Sequence, residues 1–182
     1  MALDRPSHSG KGETYVRQAT PSLVIQSLND LFSVGGVIIE SLTESRAIVQ
    51  DAIVRLACEH GSESDFDQLE ESIALTVKLT REGRLDERSV QLLEFYRLLG
   101  CGTRNEVMMM LVQAITGMVL QLIARNNAPP RASTSRVHRQ IVRALCERDA
   151  DRAAALMADH LTKLHSYFAK VARDGKPHRT NP

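Results

Sequence analysis

The 182-residue sequence has no tryptophan, and its other aromatic residues are three tyrosines and four phenylalanines. A core of this size must then be filled by Leu, Ile, Val, Ala and Met, which favours packed helices. Cysteine is scarce: Cys58, Cys101 and Cys146 are odd in number and lack CxxC spacing. They read as three buried thiols in a reducing cytoplasm, not as a disulfide framework or a zinc knuckle. Charge of one sign is missing too. The 23 Lys and Arg against 22 Asp and Glu leave a formal net charge of +1, which offers no global attraction to nucleic acid or to an anionic membrane. No apolar run makes a confident bilayer span of about 20 residues; the longest, Val107–Ala124, is interrupted by Gln113, Thr116 and Gln121. The opening MALDRPSHSGKGETYV lacks the apolar core of a signal peptide. There is no internal repeat. What remains, 43% hydrophobic and 25% charged, is the composition of one soluble globular domain.

The pattern along the chain is helical. Residues 1–19 form a polar leader with one short extended piece at Glu13–Val16, residues 20–172 an all-helical domain, and residues 173–182 a disordered tail. Thr20–Pro21 is a helix start, and Gly35–Gly36 ends that helix. A longer helix from Ile39 to Glu59 places Ile48, Ala52, Leu56 and Ala57 on one face, and Gly61 closes it. Ser62 with Asp65 has capping-box spacing and opens a helix running to Gly83. Asp86 caps a helix bearing Val90, Leu93, Phe95, Leu98 and Leu99, and Thr103 with Glu106 repeats the capping-box pattern. Val107–Ala124 is apolar almost all round and should be the buried central helix. NNAPPRASTS is a loop. The last two helices span 135–147 and 150–172, with Asp149 capping the second. The expected architecture is an antiparallel bundle of six or seven helices.

His138 and His160 both fall on apolar helix faces: Val137, Ile141, Val142 and Leu145 accompany the first, and Ala153, Leu156, Met157, Leu161, Leu164 and Phe168 the second. A tight turn at CERDAD folds these helices together, so two imidazoles aim into one interior. They fit the beginning of a metal site, which needs further ligands from another helix. They equally fit two core histidines satisfied by hydrogen bonds.

At this point the sequence resembles a known family. LTESRAIVQDAIVRLACEHG, with Glu44 and Arg46, is similar to the first helix of the FCD ligand-sensing domain of GntR-type transcriptional regulators, FadR subfamily. LLEFYRLLGCGTRN is similar to its middle helix, and VHRQIVRALCERDADRAAALMADHL to its final helical pair. The resemblance covers Leu42 to Phe168. GKGETYV resembles the last hairpin of a GntR winged helix, the rest of which is missing from the chain.

The resemblance implies a homodimer that senses a small-molecule effector, a carboxylate or similar metabolite, inside the bundle. DNA would be bound only through the missing winged helix, and no membrane is involved. Family members often hold a divalent metal such as Zn or Ni through an Asp and a His one turn apart, plus two C-terminal histidines. Here His138 and His160 match the latter, but Leu92 and Tyr96 stand at the former positions; Leu92 cannot ligate, and a phenol is a poor ligand at neutral pH. The expected site is a degenerate metal site or a metal-free pocket of Arg46, Tyr96, His138 and His160. Arg46 is equally compatible with a solvated contact to Glu44 or Gln50. Scattered Lys11, Arg17, Lys176 and Arg179 read as solvated. No enzyme is expected. Two alternatives remain: a small helical enzyme, metal-dependent or metal-free, using His138 and His160, and a partner-binding bundle pairing with a full-length regulator. Asp159 adjoins His160 but points about 100° away around the helix.

Overall fold

The computed structural model describes residues 21–34, 38–126 and 133–174. Seven helices occupy them: α1 (Pro21–Ser33), α2 (Ile39–His60), α3 (Glu63–Arg81), α4 (Leu85–Gly102), α5 (Glu106–Asn126), α6 (Thr134–Cys146) and α7 (Ala150–Asp174). No strand occurs among the described residues, and the all-α bundle is as expected. The leader with its wing-like hairpin, Thr20, Gly35–Gly36, most of the NNAPPRASTS loop and the tail lie outside the described residues.

Local chemistry sets several of the helix ends. Ser62 and Asp65 form the expected capping box: Ser62 Oγ accepts from the Asp65 amide at 3.3 Å, and the Ser62 amide donates to Asp65 Oδ2 at 2.7 Å. Asp149 Oδ1 caps α7 by accepting from the Arg152 amide at 3.0 Å. Other expected ends are corrected. Asp86 lies in the first turn of α4, after an N-cap at Arg84 whose side chain makes no capping bond and pairs with Glu82 and Glu87 instead. Asn105, not Thr103, caps α5, accepting from the amides of Val107 and Met108 at 3.0 and 3.1 Å. Thr103 instead donates to the Gly100 carbonyl at 2.7 Å, closing α4. Gly61 is extended (φ −64°) and not left-handed. Glycine is needed there because a Cβ would lie 2.5 Å from the Ala57 carbonyl oxygen and 2.8 Å from the Phe66 ring.

Two arginines in the left-handed region, Arg104 (φ 53°) and Arg148 (φ 58°), converge on the α2–α3 corner. Arg148 donates to the carbonyls of Cys58 at 2.6 Å and Gly61 at 2.8 Å, and lies over the Phe66 ring at 5.0 Å. It satisfies the open C-terminal carbonyls of α2 with a cation at the negative end of the helix. Arg104 donates to Asp65 Oδ2 at 2.5 Å.

The central helix is α2, which packs against α4, α5, α6 and α7. That corrects the assignment of α5 to the centre: only a third of Glu106–Arg125 is buried, and Val107, Leu111 and Leu120 are exposed. The buried face of α2 also differs from expectation. Ile48 is 66% exposed, while Arg46 and Gln50 point inward with Leu42, Ile53, Val54 and Ala57. Val90 of α4 is likewise exposed. Cys58 alone of the three cysteines is buried; Cys101 is half-buried and Cys146 exposed. The inward faces of α6 and α7 are as read, with His138, Ile141, Val142, Leu145, Ala153, Met157, His160, Leu161 and Phe168 all buried.

Candidate functional site

Four helices supply the four residues singled out from the sequence, and the fold brings them together. Arg46 (α2), Tyr96 (α4), His138 (α6) and His160 (α7) are all buried. Tyr96 Oη and His160 Nε2 are hydrogen-bonded at 3.0 Å. The Arg46 guanidinium lies 4.9 Å from the Tyr96 ring centre, a cation over an aromatic face. The His138 ring stacks on Phe95 with centres 3.8 Å apart and planes 10° from parallel. It meets the His160 ring edge-on at 5.3 Å. Arg46 is therefore no solvated surface residue, the alternative its sequence context allowed. Asp159 faces away as expected and pairs with Lys163 at 2.5 Å on the surface.

Burial governs the electrostatics. It drives the His138 imidazole well below its ordinary proton affinity, with His160 and Arg46 adding repulsion. Burial likewise lowers His160 to about 4, helped by Arg46 and opposed by Asp159. Burial pushes the Tyr96 phenol up, and the neighbouring Arg46 cation pulls the other way. At neutral pH the site thus holds two neutral imidazoles, one phenol and one guanidinium.

Residues not foreseen complete it. Gln50 follows Arg46 by one turn of α2 and is 1% exposed. Its Oε1 and the Nε2 of His138 are buried without a hydrogen-bond partner among the described residues. Each such group costs about 1–3 kcal/mol when left unpaired. His165 Nδ1 is hydrogen-bonded to Thr43 Oγ1 at 3.0 Å, and both line a cavity of about 20 Å³ with Arg46, Leu42, Leu161 and Phe168. That volume suits a single water; Val119 and Leu122 of α5 close the cavity between α2 and α7, and Arg46 is the one residue of the four that reaches it. The signal for Thr43 and Gln50 was spacing, since both lie within one turn of Arg46 on the same face.

The donor set does not fit a divalent cation. Two imidazoles are present, Leu92 is a buried hydrocarbon, and His160 Nε2 is engaged by Tyr96. No cluster of three or more His, Cys, Asp or Glu capable of holding a metal occurs among the described residues. Arg46, close enough to lower both imidazoles, would also repel a cation held between them.

Comparison with known proteins agrees with the all-α fold. The family model of the FCD domain matches residues 41–163. A solved structure titled Streptococcus agalactiae GntR shares the fold with a TM-score of 0.57 at 19% identity; the match covers 78% of this chain and 60% of that one. No curated protein matches the sequence. The FCD match spans two thirds of the chain and takes in Arg46, Tyr96, His138 and His160, so the chain belongs to the FCD domain family.

Proposed function

We propose that this chain is the effector-binding part of a cytoplasmic GntR-type regulator of the FadR subfamily. It senses a small organic acid through Arg46, Tyr96, His138 and His160 without a bound metal. DNA binding belongs to a winged helix outside the chain, and the working unit is a homodimer. The reading is supported by the FCD match and carried by one observation: a buried guanidinium among neutral donors, with His138 Nε2 and Gln50 Oε1 left unpaired. A carboxylate placed against Arg46 gains a charge-assisted bond in a site screened from water. Groups of the same ligand that reach His138 or Gln50 recover bonds otherwise forgone. The small cavity implies binding by displacement of α2 from α7, a coupling of occupancy to shape.

Thermal-shift measurements with a panel of mono-, di-, hydroxy- and keto-acids test this. At least one acid should raise the melting temperature of the native chain, and Arg46→Met should abolish the rise while remaining folded. If no acid stabilises the protein, or if Arg46→Met responds equally, the reading fails.

A further inference from the structure

We infer that the enclosed space between α2, α5 and α7 is a site for one halide ion, held against the Arg46 guanidinium. Arg46 is 7% exposed, and none of the ion pairs among the described residues includes it. Its partner is the Tyr96 side chain, a phenol that stays neutral. A guanidinium cannot shed its charge by losing a proton, so a buried one calls for an anion. The chain supplies none here: no Asp or Glu lines the cavity beside Arg46.

Size and chemistry select the ion. The volume of about 20 Å³ admits a particle of about the size of water. A carboxylate, nitrate or phosphate is larger than that, whereas chloride, a single atom, is close to it. Most of the wall is hydrocarbon, from Leu42, Val119, Leu122, Leu161 and Phe168, so an entering ion must give up its water. Chloride and bromide do so far more readily than fluoride. Thr43 and His165 complete the wall. The Thr43 hydroxyl donates to the Ile39 carbonyl at 2.8 Å, so the bond between His165 and Thr43 at 3.0 Å takes its proton from His165 Nδ1. That chain ties α7 to α2 and keeps the wall in place. A cation is repelled by Arg46, and a water leaves its charge uncompensated. Tyr96, His138 and His160 do not line the space. The site is therefore distinct from the one proposed for an organic acid and shares Arg46 alone with it.

Thermal melts of the full chain test this, with sodium chloride replacing sodium fluoride at constant ionic strength and no organic acid present. Strongly hydrated anions stabilise folded chains generally by exclusion from their surface, so the exchange alone lowers the melting temperature. A bound chloride raises it instead, the folding constant growing about tenfold for each tenfold rise in chloride above its Kd. Arg46→Met should abolish the rise. Val119→Ile adds a methyl to a wall of the cavity and leaves Arg46 in place; it should abolish the rise too, and it decides the matter if Arg46→Met does not fold. Crystals grown in sodium bromide should show the anomalous signal of bromide beside Arg46. A native melting temperature that does not rise, a rise undiminished in Val119→Ile, or a bromide signal confined to the surface overturns the site. A response to acids without one to chloride would leave the proposed effector reading intact, and the reverse would leave the halide site intact.

Discussion

Acidification should destabilise this protein through its buried centre. His160 takes up a proton at about 6.5 in an unfolded chain and at about 4 when folded. Between these values the unfolded state binds more protons, so stability is fully present above pH 6.5 and falls as pH drops toward 4. The slope is about 1.4 kcal/mol per pH unit for one such group, and the loss from neutrality to pH 5 is about 2 kcal/mol. His138 is lowered by the same burial, with His160 and Arg46 beside it, and adds a loss of the same sign. For a chain of this length 2 kcal/mol corresponds to about 4–8 °C in melting temperature. Glu87 and Glu147 are held low by Arg84 and Arg143; their contributions disappear only at more acid pH, leaving the window to the imidazoles. Melting followed by circular dichroism at pH 7.5 and 5.0 measures the effect. His160→Gln retains an acceptor for the Tyr96 hydroxyl and has no proton to gain, so its melting temperature should fall less over the same interval. Parallel pH dependences for the native and His160→Gln proteins would refute the argument.

Three further outcomes are expected. Leu92→Asp combined with Tyr96→His should supply two more ligands beside His138 and His160 and create Zn or Ni binding detectable by calorimetry; a folded double variant that stays metal-free would show that position 92 does not join position 96 and the two imidazoles around one ion. Arg148→Met should cost about 2 kcal/mol in urea unfolding, because two helix-end carbonyls lose a charged donor. Ser62→Ala should cost about 1 kcal/mol by removing one half of the capping box.

Much of this architecture is visible in the residue pattern, for local reasons. Ser62–Asp65 and Asp149 act within one turn of their own helices, and the apolar stripes of α6 and α7 name the face that turns inward. The pairing of His138 with His160 follows from those stripes and the short turn between them. What escaped reading depends on partners distant in sequence. The positive φ of Arg104 and Arg148 is unusual for a residue with a Cβ, and it is tolerated where each side chain reaches the α2–α3 corner. Polar Gln50 and Thr43 point inward because α2 forms a wall of the site, which apolar counting cannot register. The apolar content of α5 is plain in the sequence but its exposure is not, since hydrophobicity does not say which positions the other helices cover.

The two arginines that grip the α2–α3 corner make that corner a fulcrum. Helix α2 is clamped near Cys58 and Gly61, carries Arg46 partway along, and ends at Ile39. With a rise of 1.5 Å per residue, Arg46 stands about 22 Å from the clamp and Ile39 about 33 Å. A guest that tilts α2 by pressing on Arg46 therefore moves Ile39 about half as far again. The site works on the short arm of a lever whose long arm ends where α2 joins the segment leading back to α1.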